Sequence, residues 1–363
     1  MAKTKIKKRK KISSPAFFIG KGSNDGIISF GSGQPDLPPP PQVYKILPDY
    51  RDFKYGLIQG QENLRQALAK QYPKATADDF VITNGASEAL DLVLRALYQP
   101  GAKILLPRPY YYSYPHNVKL AGMTPAFYDL VEGKIDWEKF QLQAQDCRAI
   151  IINSPGNPTG TIQDIAVLKK IEKLALKLNL FVISDEVYKD LIYERENYLM
   201  EGKKILTLNS FSKTFAMCGF RVGYVYAREH WLIEKIIEMK SHTSMNTNIL
   251  GQEMAYEATK VPRSYIDKQV KIWKERRDLI YYGLKELGLD LWRPEGAFYV
   301  FPKLKNSNKV VNDLYYKYKM IVYDGTWFGD SHRVRFSYAL DTEKIYEGLK
   351  RLKKYLAKEY KYN

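Results

Sequence analysis

Short apolar runs alternate with amphipathic stretches through the middle of the 363-residue chain. The runs are typical of strands buried on both faces, and they occupy residues 80–83, 103–106, 149–153, 180–184, 205–209 and 222–226. Apolar positions at three- and four-residue spacing predict helices over 87–97 and 165–178. Buried strands separated by helices indicate a mostly parallel α/β sheet, in which ligands bind beyond the carboxyl ends of the strands.

The C-terminal part of the chain follows a different pattern. Residues 262–287 predict one long charged helix, followed by short strands near 298–301, 320–323 and 333–338, a helix near 310–318 and a Lys-rich helix from about residue 343. This order predicts a smaller α+β domain packed on the first. We therefore divide the chain into a flexible basic arm (1–14), an N-terminal segment that packs on the small domain (15–42), a large domain (43–258) and the small domain (259–363).

The net charge of +17 is concentrated in part at the N-terminus. Lys and Arg supply seven positive charges within residues 3–11, and no acidic residue lies among them. Such a tail can bind nucleic acid or a membrane surface, but a solvated flexible arm is the simpler interpretation. Because the arm has no interleaved aromatic residues, we expect nucleic-acid binding at most as an accessory role and no membrane partner.

The cysteines and the apolar runs bear on the compartment. Cys147 and Cys218 lie far apart and lack metal-ligand spacing, so we expect neither a disulfide framework nor a metal site. The basic opening is not followed by an apolar stretch of signal-peptide length, and no apolar run is long enough to span a membrane. We therefore expect a cytoplasmic protein.

A candidate anion site follows the first predicted strand. Gly85, Ala86 and Ser87 lie at a helix start, where small residues leave backbone N–H groups open to an anion such as a phosphate. An ordinary helix cap is the alternative interpretation. Ser210 and Arg221, which flank the last two predicted strands, are suited to binding the same phosphate.

Further candidate side chains follow the other strands. Tyr111 lies in a stiff loop and could stack on a flat ligand, although it equally suits a core position. Asn157 and Asp185 could make directed contacts to that ligand, whereas a Pro-Gly turn and a salt-bridged carboxylate are the simpler alternatives. Tyr188 lies three residues beyond Asp185. Lys213 follows a buried strand, where burial disfavours the charged form and makes the amine nucleophilic.

Pyridoxal phosphate (PLP) requires this combination of an amine, a carboxylate for the ring nitrogen, donors for the ring oxygen and an anion site. From about residue 30 to near the C-terminus, the chain also resembles the class I/II aminotransferases, PLP enzymes of fold type I. The motifs are ITNGASEAL, PRPYYYSYP, INSPGNPTG, ISDEVY, SFSKTFAMCGFRVGY, EGAFYVF and VRFSYA. The resemblance implies an α/β large domain with a mostly parallel seven-stranded-type sheet between helices, and a smaller α+β domain.

The resemblance also implies an activity and residue roles. The enzyme would move an amino group between an L-amino acid and a 2-oxo acid in a ping-pong cycle, with Lys213 bonded to the cofactor and moving the proton. The implied catalytic residues are Lys213, Asp185 and Tyr188. The implied cofactor-binding residues are Gly85, Ala86, Ser87, Tyr111, Asn157, Asp185, Tyr188, Ser210, Lys213, Arg221 and Tyr55.

For the substrate, the resemblance implies three binding residues: Gly33 in the loop over the substrate, Asn157, and Arg335 as the fork for the α-carboxylate. Tyr55 would reach the cofactor phosphate of a neighbouring subunit, which implies a homodimer with shared active sites. No second arginine is placed for a side-chain carboxylate, which argues against a substrate range restricted to dicarboxylates.

The sequence departs from the family pattern at three of the positions considered, and one other class of PLP reaction fits the same residues. Ala86, Tyr111 and Gln34 stand where many relatives have Gly, Trp or Phe, and Glu, but none of these changes removes a catalytic group. The alternative function is another PLP reaction, either decarboxylation of a phosphorylated amino acid or carbon–sulfur β-elimination. A partial GxGxxG match does not indicate a nicotinamide dehydrogenase, because Asp36 occupies the third glycine position.

Overall fold

The structure is a computed structural model that describes residues 12–18, 21, 26–194 and 196–359. The predicted basic arm lies outside the described residues except for 12–14. The strands are β1 Ile28–Ser29, β2 Phe80–Thr83, β3 Lys103–Arg108, β4 Thr124–Val131, β5 Lys134–Ile135, β6 Ala149–Asn153, β7 Phe181–Asp185, β8 Ile205–Ser210, β9 Gly223–Ala227, β10 Tyr299–Val300, β11 Met320–Ile321, β12 Tyr323–Asp324 and β13 Val334–Ser337. The α-helices are α1 Glu62–Ala69, α2 Ala86–Ala96, α3 Tyr114–Leu120, α4 Trp137–Gln143, α5 Ile165–Leu178, α6 Phe211–Thr214, α7 His230–His242, α8 Ile249–Thr259, α9 Arg263–Glu286, α10 Ser307–Tyr318 and α11 Thr342–Glu359.

The large sheet has the strand order β2-β9-β8-β7-β6-β3-β4-β5. The strands from β8 across to β4 pair in parallel, whereas β9 is antiparallel to both of its neighbours and β5 is antiparallel to β4. All six predicted runs lie in this sheet, and the prediction of a mostly parallel α/β sheet is confirmed. The two-residue strand β5 extends the seven strands that the resemblance implied.

Burial on both faces of the sheet explains why the central strands could be recognised from the sequence. Every residue of β6 is buried. Ile150 and Ile152 pack with Leu168 and Ile171 of α5, whereas Ile151 belongs to the core cluster around α2 on the other face. Both faces of the strand are therefore covered by helices, which requires a continuous apolar run.

The C-terminal helices and the short strands form a second core. Strand β1 pairs in parallel with β11, and β10, β13 and β12 form a three-stranded antiparallel sheet. Phe30 from the N-terminal segment packs edge-on against Phe336, in the same cluster as Trp273 of α9. The domain boundaries after residues 14, 42 and 258 stay predictions.

The parallel strands direct their carboxyl ends to one edge of the large sheet. Only residues 84–85 separate β2 from helix α2, and helix α6 begins directly after β8. Across the described ranges, the structure contains no helix that is long and apolar enough to cross a membrane. Within those same residues, no cluster of His, Cys, Asp and Glu side chains is placed to hold a metal ion.

Candidate active site

A cavity of about 780 Å³ lies beyond the carboxyl ends of the central strands. Its wall combines the ends of β6, β7 and β8 with the N-terminal segment and with residues of β10, β12 and β13. The sequence-predicted residues that line it are Gly33, Ala86, Ser87, Tyr111, Asn157, Asp185, Tyr188, Ser210, Lys213, Arg221 and Arg335. Side chains from distant parts of the sequence therefore face one space.

Lys213 lies in the short helix α6, which directly follows the end of β8 at Ser210. Its Nζ donates a hydrogen bond to the carbonyl oxygen of Gly33, at 2.6 Å. Burial lowers the pKa of Lys213, and the nearby Arg335 and Arg221 charges lower it further, while Cys218 and Asp185 oppose them. The amine therefore loses its proton more readily than an exposed lysine and is available as a nucleophile and base.

Asp185 ends β7 and is fixed by two donors. The Tyr114 hydroxyl donates to Oδ2 at 2.5 Å, and the Val187 N–H donates to Oδ1 at 3.3 Å. Burial raises the pKa of Asp185, although both hydrogen bonds and the Lys213 charge oppose that rise. A buried carboxylate in this position favours a cationic partner, such as a protonated ring nitrogen.

The phosphate loop, residues 84–87, leads from β2 into the first turn of α2. Gly85 has φ +77° with ψ 172°, a backbone conformation that favours glycine, and a Cβ there would lie 2.5 Å from Nη2 of Arg221 and displace it. The Arg221 guanidinium donates to the carbonyl oxygens of Asn84 and Cys218, each at 3.0 Å. Bare N–H groups at the helix start and this guanidinium form a site suited to a phosphate.

Arg335 is almost fully buried, with 2% of its surface exposed. Its Nη1 donates to Oδ1 of Asn157 at 3.0 Å and its Nη2 to the carbonyl oxygen of Gly31 at 2.7 Å, while the buried Nε has no partner among the described residues. The guanidinium carbon lies 4.5 Å from the Tyr299 ring centroid and 4.7 Å from that of Tyr323. Since both hydrogen bonds go to neutral acceptors, the guanidinium keeps its capacity to bind a carboxylate.

Among the cavity residues that escaped the sequence-based assignment are Tyr114, Tyr299 and Asn153. Tyr114 holds Asp185, and Tyr299 shares a 2.8 Å hydroxyl–hydroxyl hydrogen bond with Tyr188. Asn153 accepts from the Asn157 N–H at 2.8 Å and donates to the Asp185 carbonyl at 3.1 Å, so it ties two adjacent strand ends together. All three lie in or beside quoted motifs, but the sequence carried no local signal of their partners.

Of the predicted residues, Gly85 lies in the phosphate loop directly before the lining residue Ala86, whereas Tyr55 lies away from the cavity. Its side chain is 84% exposed, between Phe53 at 87% and Leu57 at 59%. The segment adjoins a shallow surface pocket that Asn246 and Ile249 help to line. The proposed contact of Tyr55 involves a neighbouring subunit, so it stays a prediction.

Comparison with known proteins gives one consistent result. The sequence matches the family described as aminotransferase class I and II over residues 25–352. It is 34% identical to a probable aspartate/prephenate aminotransferase of Aquifex aeolicus, over 91% of each chain. It is 32% identical to an aromatic-amino-acid aminotransferase of Thermococcus litoralis, over 92% of each chain.

Solved structures agree with the sequence comparison. An aspartate aminotransferase of Thermotoga maritima superposes with a TM-score of 0.87 at 31% identity, covering 94% of this chain and 95% of that one. An aromatic aminotransferase of Pyrococcus horikoshii gives the same TM-score at 30% identity, with 95% and 99% covered. These findings confirm the predicted fold, cofactor and aminotransferase activity. The chain belongs to the class I and II aminotransferases, PLP-dependent enzymes of fold type I that transfer an amino group between an amino acid and a 2-oxo acid.

Proposed function

We propose that the cavity is the active site and that its residues divide three tasks: holding PLP, holding the substrate α-carboxylate and moving the substrate proton. The observation that carries the proposal is that Lys213, Asp185 and Arg335 open into one cavity. When bound, PLP supplies an electron sink for the bonds at the substrate α-carbon.

The cofactor is proposed to lie between the phosphate loop and the end of β7. The N–H groups at the start of α2, together with Ser210 and Arg221, bind the phosphate. Asp185 would hold the protonated ring nitrogen, and Tyr111 would stack on the ring. The fit is supported by the Arg221 guanidinium beside the phosphate loop and by Gly85, whose backbone can approach an anion with no side chain in the way.

Two further residues are proposed to contact the ring oxygen. Asn157 Nδ2 and the Tyr188 hydroxyl are the donors at this end of the cavity. Burial raises the pKa of Tyr188 well above its usual range, so its phenol keeps the proton that it donates. The two hydroxyls lie 2.8 Å apart, so Tyr299 can donate to Tyr188 while Tyr188 donates to the ring oxygen.

Lys213 is proposed as the residue that would hold the cofactor covalently by its Nζ and would move the proton at the substrate α-carbon when that amine is free. Its lowered pKa supports both roles, because the neutral amine is the form that attacks a carbonyl and accepts a proton. The 2.6 Å hydrogen bond to the Gly33 carbonyl places this amine against the loop that we propose covers the substrate.

Arg335 is proposed to bind the substrate α-carboxylate. The planar guanidinium is held by Asn157 and Gly31, so a carboxylate can meet it with little loss of side-chain entropy. A Cβ at Gly33 would lie 2.9 Å from the Tyr299 hydroxyl, so a larger residue there would disturb the covering loop.

For the substrate side chain, we propose a large neutral or aromatic group. The cations that line the described cavity are Lys213, Arg221 and Arg335, and each is already assigned to a different task. Phe18 and Tyr323 stack with centroids 5.9 Å apart and form an aromatic wall of the cavity. Among the relatives, both aspartate and aromatic amino acids appear in the names; the aromatic wall favours the second.

A panel of amino acids tests the substrate class. The half-reaction, followed by cofactor absorbance without any 2-oxo acid, should run faster with phenylalanine or tyrosine than with aspartate. Phe18→Ala should reduce kcat/KM for phenylalanine more than kcat/KM for alanine, which is too small to reach the wall. A clear preference for aspartate in the unaltered enzyme would contradict the proposed substrate class.

We further propose a homodimer in which a second copy covers the exposed segment around Tyr55. Support comes from the exposed Phe53, Tyr55 and Leu57 side chains in a short stretch, which are unusual on a surface that meets only water.

The free cysteines Cys147 and Cys218 are in keeping with a reducing compartment, and we propose the cytoplasm.

Borohydride labelling tests the site itself. Borohydride reduction of the PLP-loaded enzyme should fix the cofactor to the peptide that carries Lys213, and Lys213→Ala should lose both the label and the amino-transfer half-reaction. Lys203→Ala, at an exposed lysine outside the cavity, is the matched control and should keep both. A label on a different lysine in the unaltered enzyme would refute the assignment.

A further inference from the structure

A buried ion pair lies directly behind the phosphate loop, outside the cavity wall. Lys240 of α7 has no exposed surface, and its Nζ lies 3.2 Å from Oε2 of Glu88 in the first turn of α2. The same ammonium donates to the hydroxyls of Ser244 and Thr247 at 3.2 and 3.4 Å. A fully buried lysine is expensive to place, so its position calls for an explanation.

The Glu88 carboxylate holds the phosphate loop through two groups of Asn84, the backbone N–H and the side-chain amide. Oε2 accepts from the Asn84 backbone N–H at 2.6 Å, and both carboxylate oxygens accept from Asn84 Nδ2 at 3.1 Å. The Asn84 carbonyl in turn accepts from Nη2 of Arg221 at 3.0 Å. A continuous chain of contacts therefore runs from Lys240 through Glu88 and Asn84 to the guanidinium.

The negative charge of Glu88 lies close to the proposed phosphate site, and the positive charge of Lys240 compensates it. A carboxylate in the first turn of a helix interacts favourably with the helix dipole, but it lies next to the N–H groups that we assign to a phosphate. Burial would raise the pKa of Glu88, yet hydrogen bonds from Ser244 and Asn84 and the Lys240 charge outweigh burial and lower it. The carboxylate is therefore ionised, and without Lys240 it would repel the incoming phosphate.

We propose that Glu88 and Lys240 are positioning residues for the cofactor phosphate: Glu88 fixes the phosphate loop and, through Asn84, the Arg221 guanidinium, while Lys240 cancels the Glu88 charge. The inference rests on the proposed phosphate site. A purely structural role does not require this arrangement, because well-packed apolar residues commonly replace a buried ion pair with no loss of stability.

The test compares PLP with pyridoxal, which lacks the phosphate, as ligands of the apoenzyme. Lys240→Met leaves the Glu88 charge uncompensated and should raise the dissociation constant of PLP about tenfold to a hundredfold. The dissociation constant of pyridoxal should change little. In Glu88→Gln/Lys240→Met the charge is removed and a hydrogen-bond acceptor for Asn84 remains, so most of the PLP affinity should return.

Lys235→Met provides the matched control on the same helix. Lys235 Nζ also donates to α2, but to the carbonyl oxygen of Ala96 at the far end, 3.0 Å away. This variant should leave the ratio of the PLP and pyridoxal dissociation constants unchanged. Thermal unfolding of each apoenzyme separates loss of folding from loss of the phosphate contact. Lys240→Arg keeps the positive charge and should leave the ratio of the two dissociation constants near that of the unaltered enzyme.

The possible outcomes distinguish the inference from its premise. If the unaltered apoenzyme binds PLP no better than pyridoxal, the phosphate site itself is wrong. If it prefers PLP, and Lys240→Met folds with an unchanged ratio, only the positioning role is refuted. Should Lys240→Met not fold, Glu88→Ala/Lys240→Met removes the contact to Asn84 and both charges of the pair together, and an unchanged ratio in that variant also overturns the proposal.

Discussion

Removing the Tyr114 hydroxyl isolates one contact to the proposed partner of the ring nitrogen. Tyr114→Phe deletes the donor that lies 2.5 Å from Oδ2 of Asp185 and leaves the ring packed edge-on against Tyr111, with centroids 5.4 Å apart. Burial and the Asp185 charge raise the pKa of Tyr114 well above its usual range, so the phenol acts as a donor throughout an ordinary assay.

The expected magnitude follows from the type of hydrogen bond. A hydrogen bond to a charged group contributes about 1.5–3 kcal/mol, and about 1.4 kcal/mol corresponds to one pH unit of proton affinity. Burial already raises the pKa of Asp185, and losing this donor raises it further. The ionised carboxylate should therefore form only at higher pH, by about one to two units.

The assay is the single-turnover half-reaction with one amino acid, followed by absorbance across a pH series. In Tyr114→Phe the acid limb of the rate profile should move upward by about one to two pH units, and the rate on the alkaline side should largely recover. Tyr128→Phe is the matched control, because it deletes a buried phenol that donates to the Ile151 carbonyl at 3.0 Å, away from the cavity. An unmoved acid limb, or an equal shift in the control, would refute the role of Tyr114.

Three further predictions concern other parts of the molecule. Arg335→Lys loses the planar fork and should raise the amino-acid KM by about tenfold to a hundredfold with unchanged cofactor binding; an unchanged KM in steady-state kinetics would contradict its carboxylate role. Gly85→Ala places a Cβ 2.5 Å from Arg221 at φ +77°, so the PLP dissociation constant should rise about tenfold, and an equal value in titration of the apoenzyme would contradict the close approach. Burial raises the pKa of Glu186 to about 7. Between about pH 4.3, where the unfolded chain ionises, and about pH 7, the folded protein therefore holds a proton that the unfolded chain has lost. The free energy of unfolding should fall by on the order of 3 kcal/mol as the pH rises through this window. Glu186→Gln should flatten this fall in denaturant unfolding; an identical pH dependence in both proteins would exclude Glu186 as its source.

The strand ends that carry the proposed catalytic residues could be predicted because a strand covered on both faces must be apolar throughout. Strands β6 and β8 are buried along their whole length, and Asn157, Ser210 and Lys213 lie at or just beyond their ends. Strand β4 was missed for the converse reason. Of its eight residues only Tyr128 is buried, so its sequence carries no apolar run.

Contacts between distant residues could not be predicted from local patterns. Tyr114 and Asp185 are separated by 71 positions, and Lys213 and Gly33 by 180. Lys240 shows the difficulty most clearly. It lies in a helix where a lysine would ordinarily face solvent, and its complete burial depends on how α7 packs against the start of α2.

The charge distribution of the cavity unites these observations. Lys213, Arg221 and Arg335 direct the hydrogen bonds described above to carbonyl and amide oxygens rather than to carboxylates. The one acidic side chain that lines the described cavity, Asp185, is held by a phenol and a backbone N–H, and Glu88 behind the loop is neutralised by its own lysine. Neutral acceptors orient the Arg221 and Arg335 guanidinium groups without cancelling their charge, so the cavity retains a positive potential for the two anions that we propose it binds, the cofactor phosphate and the substrate carboxylate. A carboxylate introduced beside any of these cations should therefore weaken anion binding more than an amide of the same shape.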